Sequence, residues 1–196
     1  TPTATPTEVA TESTDATPTD AIPADATPTA ATPADSTPEP APTGTWTKFT
    51  APDGTWTAKF PGSGAPMKQS QTTGTGATKM NIDYWYTMDL GNSALYAVYT
   101  MNVGVDLSSM GSSAFLDYMN QYMQSYVGSS TGGTVTSTTQ TTIAGNPALE
   151  IKLEAVGQEI TMTMTGRGKI MYMLMASAPP GGTLYPEYFK ANFTLK

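Results

Sequence analysis

Residues 169–178 read KIMYMLMASA, and both faces of the stretch are apolar. Met171, Met173 and Met175 fall on one side; Ile170, Tyr172, Leu174 and Ala176 fall on the other. A strand with one wet face alternates apolar with polar, so this one is expected at the centre of a sheet covered above and below. Its neighbours in sequence supply half-buried partners. EITMTMT (159–165) sets Ile160, Met162 and Met164 on one face, and NPALEIKLEA (146–155) sets Leu149, Ile151 and Leu153 against Glu150, Lys152 and Glu154. Gly157 and the run GRGK (166–169) are expected to turn the chain between them. VTSTTQTTI (135–143) has strand composition but is polar, as a partly exposed strand would be.

Upstream, MNIDYWYTMDL (80–90) alternates cleanly. Met80, Ile82, Tyr84, Tyr86, Met88 and Leu90 point one way; Asn81, Asp83, Trp85, Thr87 and Asp89 point the other. Gly91-Asn92-Ser93 turns into ALYAVYTMNV (94–103), with Leu95, Ala97, Tyr99, Met101 and Val103 on one face. Between residues 112 and 127 the period changes. Phe115, Tyr118, Met119, Tyr122, Met123 and Tyr126 form the stripe of an amphipathic helix, with Ser112 or Ser113 to cap its start and Gly128 its end. Docking on the sheet explains that stripe more simply than a ligand surface does. Tyr185-Pro186 opens a short terminal helix to about Ala191, followed by FTL.

The stretch GTWTKFTAPDGTWTAKFPG (44–62) looks like a tandem repeat but reads as a hairpin around Ala51-Pro52-Asp53-Gly54. Trp56, Ala58 and Phe60 share a core face. The first strand would bury Phe49 and leave Trp46 on the opposite face, where tail meets domain. Trp46 and Trp85 are therefore the candidate contacts for a partner or for the tail.

The genuine repeat lies in residues 1–44. ATPTDAIPAD (16–25) and ATPTAATPAD (26–35) are near-copies, over a five-residue beat of Pro18, Pro23, Pro28, Pro33 and Pro38. So polar a segment cannot bury enough surface to offset its conformational entropy. Proline fixes φ and favours polyproline II, in which the tail would reach roughly 140 Å. Threonine beside proline at this density is the composition of O-glycosylated stalks. The candidate acceptors are Thr5, Thr7, Thr17, Thr19, Thr27, Thr29, Thr32 and Thr37. Two segments are thus expected: a stalk or linker at 1–44 and a single domain at 45–196. At that size the domain can bury about 68–70% of its unfolded surface.

Composition excludes several chemistries. The chain has no Cys and no His, so disulfides, thiolate nucleophiles, imidazole bases and the commonest transition-metal ligands are missing. No Lys has a Ser three residues before it, which rules out a S-x-x-K pair. GRGK lacks the first glycine of a phosphate loop, since that position is Thr163. Glu154 and Glu159 could meet across their turn, but as a solvated hairpin end. The paired methionines 162/164 and 171/173/175 have Cu(I)-type thioethers, yet core filling is the simpler reading. Asn192-Phe193-Thr194 fits the N-glycosylation pattern, but Phe193 is expected to pack. All seven acids of the first 44 residues lack a basic counterpart, and the remainder is charge-balanced, so the net charge of −7 sits in the tail. Without a basic patch, nucleic acid is not an expected partner. No run is long and apolar enough to span a membrane.

The order of motifs resembles that of PsbP-like domains. WTAKFPG (56–62) resembles the family's opening "FPG" strand, and IAGNPALEIKLE (143–154) its "GyPg" strand. GRGKIMYMLMASAP (166–179) and YFKANFTL (188–195) resemble its later turn-and-strand and closing segments. The resemblance covers roughly 46–195. It implies an α+β fold: an antiparallel sheet of about six to eight strands with helices on both faces, an α-β-α sandwich. Many bacterial members are secreted proteins or lipoproteins. The family shares no catalytic set, so no site residue carries over.

Together these readings anticipate a non-catalytic, extracytoplasmic module, secreted or anchored at the cell surface, with no cofactor and no metal. The chain begins at Thr1, so an upstream segment is expected to have been removed, and a lipid anchor there fits the resemblance. The expected partner is a protein or another surface component, with glycans carried covalently on the tail. The alternatives are a self-associating subunit of an extracellular filament or surface layer and, last, a carboxylate hydrolase.

Overall fold

A computed structural model of the chain describes residue 39 and residues 41–73, 79–126 and 133–196. They belong to one compact unit, Thr37–Lys196. The eight candidate glycosylation threonines and Gly128 lie outside the described residues.

Among the described residues, two antiparallel sheets and two α-helices form the core of the unit. The larger sheet has the order β3 (Met67–Thr73), β4 (Met80–Asp89), β5 (Ala94–Asn102), β9 (Ile170–Ala178), β8 (Gln158–Arg167), β7 (Asn146–Ala155), β6 (Thr134–Ile143). The doubly apolar strand, β9, is thus the fourth of seven, flanked by β5 and β8. The smaller sheet holds β2 (Trp56–Pro61) between β1 (Trp46–Thr50) and β10 (Thr194–Leu195). Tight turns set the registers. Ala144-Gly145 and Val156-Gly157 all take positive φ, between 49° and 77°, as two-residue hairpin turns require.

Each face of the large sheet is closed differently. On one face lie the small sheet and α2 (Pro186–Ala191), over a core of Trp56, Phe60, Trp85, Tyr96, Phe189 and Phe193. On the other lies α1 (Ser112–Tyr126), whose Phe115, Met119 and Met123 meet Met162, Met164, Met171 and Met173. A 3₁₀ turn, Leu107–Ser109, pins the entry to α1 onto the β8–β9 hairpin. Leu107 N donates to Gly168 O at 2.6 Å, and Gly168 N donates to Ser108 Oγ at 2.6 Å. Gly166 makes that approach possible: a Cβ there would stand 2.5 Å from Leu107 Cδ1 and 2.9 Å from Phe115 Cε2.

The fold class matches the expectation, with helices on opposite faces of a seven-stranded sheet, and three details go beyond it. The β1–β2 hairpin leaves the main sheet to form its own. β3 goes unread in the sequence, because MKQSQTT is polar and exposed throughout. In β5 the face of Leu95 and Tyr99 is only partly buried, whereas Ala94, Tyr96 and Val98 on the other side are fully buried. The small sheet and α2 cover that side, which strand alternation cannot foresee.

Candidate functional site

The cross-strand registers of β3, β4 and β5 assemble three rows on the α1 side of the sheet. They are Gln69–Tyr84–Tyr99, Met67–Tyr86–Ala97 and Met88–Leu95. Tyr84 stacks on Tyr99 with ring centroids 5.1 Å apart and planes at 21°, and Tyr86 lies 5.9 Å from Tyr84. The Gln69 amide fixes both phenols: its Nε2 donates to Tyr86 Oη at 3.0 Å, and its Oε1 accepts from the Tyr84 hydroxyl. Toward α1 the phenols turn to sulfur. Tyr122 donates to Met101 Sδ at 3.3 Å, and Tyr99 to Met175 Sδ at 3.9 Å.

Away from α1 the rows open to solvent. Met67 and Met88 are each 55% exposed, and Leu90, at the tip of the β4–β5 hairpin, is 83% exposed. Helix width explains this opening. Seven strands at about 4.8 Å spacing span roughly 29 Å, whereas a helix with its side chains is about 10–12 Å across. A single helix cannot roof the whole face.

On the opposite side, polar pairs between β3 and β4 hold β3 in place. Ser70 Oγ donates to Asp83 Oδ1 at 2.5 Å, Lys68 Nζ lies 2.9 Å from Asp83 Oδ2, and Thr72 Oγ1 donates to Asn81 Oδ1 at 3.0 Å. The Ser70 hydroxyl, with Lys68 beside it, holds the Asp83 carboxyl below its usual range. Lys68 also sits 5.0 Å above the Trp85 ring.

At the start of the unit, Glu39 accepts from the backbone N–H groups of Glu187 and Tyr188, each at 3.2 Å, at the first turn of α2. Burial raises the Glu39 pKa, even though both N–H bonds pull it down. Lys190 closes α2 with 2.8 Å contacts to Glu150 and Glu187. Burial works against its charge, but the two carboxylates outweigh that and raise its pKa.

The two tryptophans singled out in the sequence have different settings. Trp46, expected away from Phe49, packs against the same aromatic core as Phe49, beside α2. Its ring meets Tyr96 at 4.9 Å and Tyr188 at 5.0 Å, both edge-on. It is therefore packed on the core's rim, beside the helix turn that Glu39 caps. Trp85 is 5% exposed and edge-on to Trp56 at 5.2 Å. The small sheet buries the supposed polar side of β4 at that point, so Trp85 offers little surface to a partner.

The remaining sequence candidates also find their places. Met162, Met164, Met171 and Met173 are buried beneath α1. Glu154 and Glu159 are direct cross-strand neighbours and exposed. GRGK forms the β8–β9 turn, with Gly168 at φ 57°. Phe193 is 2% exposed, and Asn192 Nδ2 donates to Tyr188 O at 2.9 Å. Sequence reading missed Met67 and Gln69 with the rest of β3, and it put Tyr84, Tyr86 and Met88 on one side of β4 without showing how far that side is covered. It missed Glu39 as a helix cap as well, for no local pattern links residues 148 apart.

The chain is thus an α+β module with a seven-stranded and a three-stranded antiparallel sheet. No family model and no curated protein matches it. Among solved structures it is similar to the cyanobacterial PsbP (CyanoP) of Synechocystis sp. PCC 6803, at 8% identity and a TM-score of 0.48. That likeness covers 82% of this chain and 98% of the other. It is also similar to a crystal structure from Bacteroides thetaiotaomicron VPI-5482, at 12% identity and a TM-score of 0.39, covering 76% of this chain. The chain spans about half, 48%, of that structure. A Pseudomonas aeruginosa protein of unknown function is similar at 10% identity and a TM-score of 0.34, with 70% of this chain and 85% of that one covered. Among the described residues, no helix is long and apolar enough to cross a membrane.

Proposed function

We propose that this protein is a non-catalytic binding module held outside the cytoplasm on its Thr/Pro-rich tail, and that a protein partner docks on the tyrosine–methionine face of β3–β5. One observation carries the reading: Met67 and Met88 stand exposed beside Tyr84, Tyr86 and Leu95 on adjoining rows, with exposed Leu90 in the turn that follows β4. Tyrosine and methionine are the residues that interface centres favour, and contiguous apolar surface with a polar rim marks a protein contact more often than a catalytic centre. The phenols are held in place by Gln69, which lowers the entropy lost on docking.

The proline beat and threonine content of residues 1–44 support a spacer, O-glycosylated at some of the eight threonines. Charge concentrated on that segment leaves residues 45–196 balanced in acids and bases. The order of the motifs in 56–62, 143–154, 166–179 and 188–195 supports membership of the PsbP-like family, and with it a secreted or lipid-anchored location.

Photo-cross-linking in the source cell tests the docking face. A photoreactive residue at Met88 should give a discrete protein adduct that disappears when Tyr86→Ser is added. The same probe at Val156, which is 90% exposed on the β7–β8 turn, should give none. Equal adducts from both positions, or none from Met88, would sink the reading. Intact mass of protein purified from that source tests the stalk: glycans raise it above the 20.6 kDa of the bare chain.

A further inference from the structure

We infer that the chain self-associates through β6, two copies pairing edge to edge about a two-fold axis at Gln140 so that their large sheets become one. This goes beyond the docking face, which lies at the other end of the sheet.

β6 is an edge strand of ten residues, TVTSTTQTTI, bonded to β7 alone among the described residues. Natural edges of this length are guarded by lysine, proline, inward charges or a covering element. β6 carries no charge and no proline, and nine of its ten residues are exposed or half-buried. Its single irregularity, a register shift between Val135 and Ser137, lies near its start and leaves Ser137–Ile143 regular. The opposite edge, β3, shows what guarding looks like: Lys68 stands there, paired with Asp83.

A second copy of β6 suits this edge better than the alternatives do. Antiparallel self-pairing about Gln140 sets Thr139 against Thr141, Thr138 against Thr142 and Ser137 against Ile143. Each pair keeps its side of the sheet, because the positions differ by an even number. No like charges meet, and threonine–threonine pairs are favourable cross-strand neighbours. Residues 45–196 have as many acids as bases, so net charge does not oppose the approach. The tail is a poor added strand by contrast, since Pro18, Pro23, Pro28, Pro33 and Pro38 each lack the N–H a ladder needs. Such a contact is isologous and closes at two copies. An edge-only interface falls at the small end of specific contacts, so the pair forms at high concentration.

These 196 residues include no cysteine, which makes the test clean. Directly opposed residues in an antiparallel pair have Cα atoms about 4.5–5.5 Å apart, within the roughly 4.4–6.8 Å that a disulfide spans. Under mild oxidation Gln140→Cys should give a disulfide dimer, and Thr72→Cys on the β3 edge should not. Light scattering from about 10 μM to 1 mM should show the unmodified chain passing from monomer to dimer. Thr139→Lys with Thr141→Lys opposes like charges twice and should weaken that dimer about tenfold or more. Its circular dichroism should stay that of the parent, as Thr139 is exposed and Thr141 only half-buried. A chain that stays monomeric throughout that range overturns the inference. So does a dimer that Gln140→Cys fails to trap.

Discussion

The two faces of the seven-stranded sheet are built on different plans. One is sealed by a second sheet and α2 over interlocked aromatic rings: Trp56 meets Trp85 at 5.2 Å, and Phe60 meets Phe189 at 5.5 Å. The other has a single 15-residue helix over flexible methionines, and its cover ends before the sheet does. Rigid rings locked edge-to-face define one arrangement, whereas methionines adapt to whatever lies above them. The sealed face therefore holds the fold, and the half-covered face is left open to solvent.

Substitutions that empty each core should bring out the difference. Phe60→Ala is expected to lose about 3–5 kcal/mol, and Met164→Ala about 2–5 kcal/mol toward the lower end, because methionine neighbours can close part of the cavity. Urea denaturation of both variants measures this, and a larger loss for Met164→Ala would reverse the ranking. Gly166→Ala acts on the α1 side alone. Its Cβ meets Leu107 and Phe115, so a loss of about 1–3 kcal/mol is expected, with hydrogen exchange rising in α1 before β2. Exchange rising equally in both would mean the faces are not independent.

A smaller effect is expected at the sealed face's rim. The folded Glu39 pKa is raised above 4.5 by burial, so the native state holds that proton more tightly than the unfolded chain does. Its contribution is fully present below the unfolded value and fades as pH rises through the folded one. Glu39→Gln keeps an acceptor for Glu187 and Tyr188 without the charge. The variant should therefore gain melting temperature relative to the parent as pH goes from about 4 to about 7. An unchanged difference across that range would show that Glu39 burial has no bearing on stability. Asp83 runs the other way: its lowered pKa gives stability above 3.8 that is lost as pH falls further.

The legible parts of the fold were those whose own side chains declare a period. β9 showed two apolar faces, α1 an i, i+3, i+4 stripe, and β1–β2 a turn between matching strands. β3 was illegible because its evidence sits on another strand: Ser70, Thr72 and Lys68 acquire meaning only opposite Asp83 and Asn81. Tyr84, Tyr86 and Met88 were assigned correctly to one side of β4, but no sequence period says how far a helix on that side will reach. Trp85 was misjudged for the mirror reason, since its cover comes from β2, nearly thirty residues away.

The methionines provide the most direct test of this two-face account. Brief peroxide treatment followed by peptide mass spectrometry reads each thioether's exposure in the intact chain. Met67 and Met88, each 55% exposed, should oxidise first, while Met119, Met164 and Met171, all at 0%, stay protected until the protein unfolds. Protection of Met67 and Met88, or oxidation of Met164 and Met171 at the same rate, would contradict an open tyrosine–methionine face above a closed core.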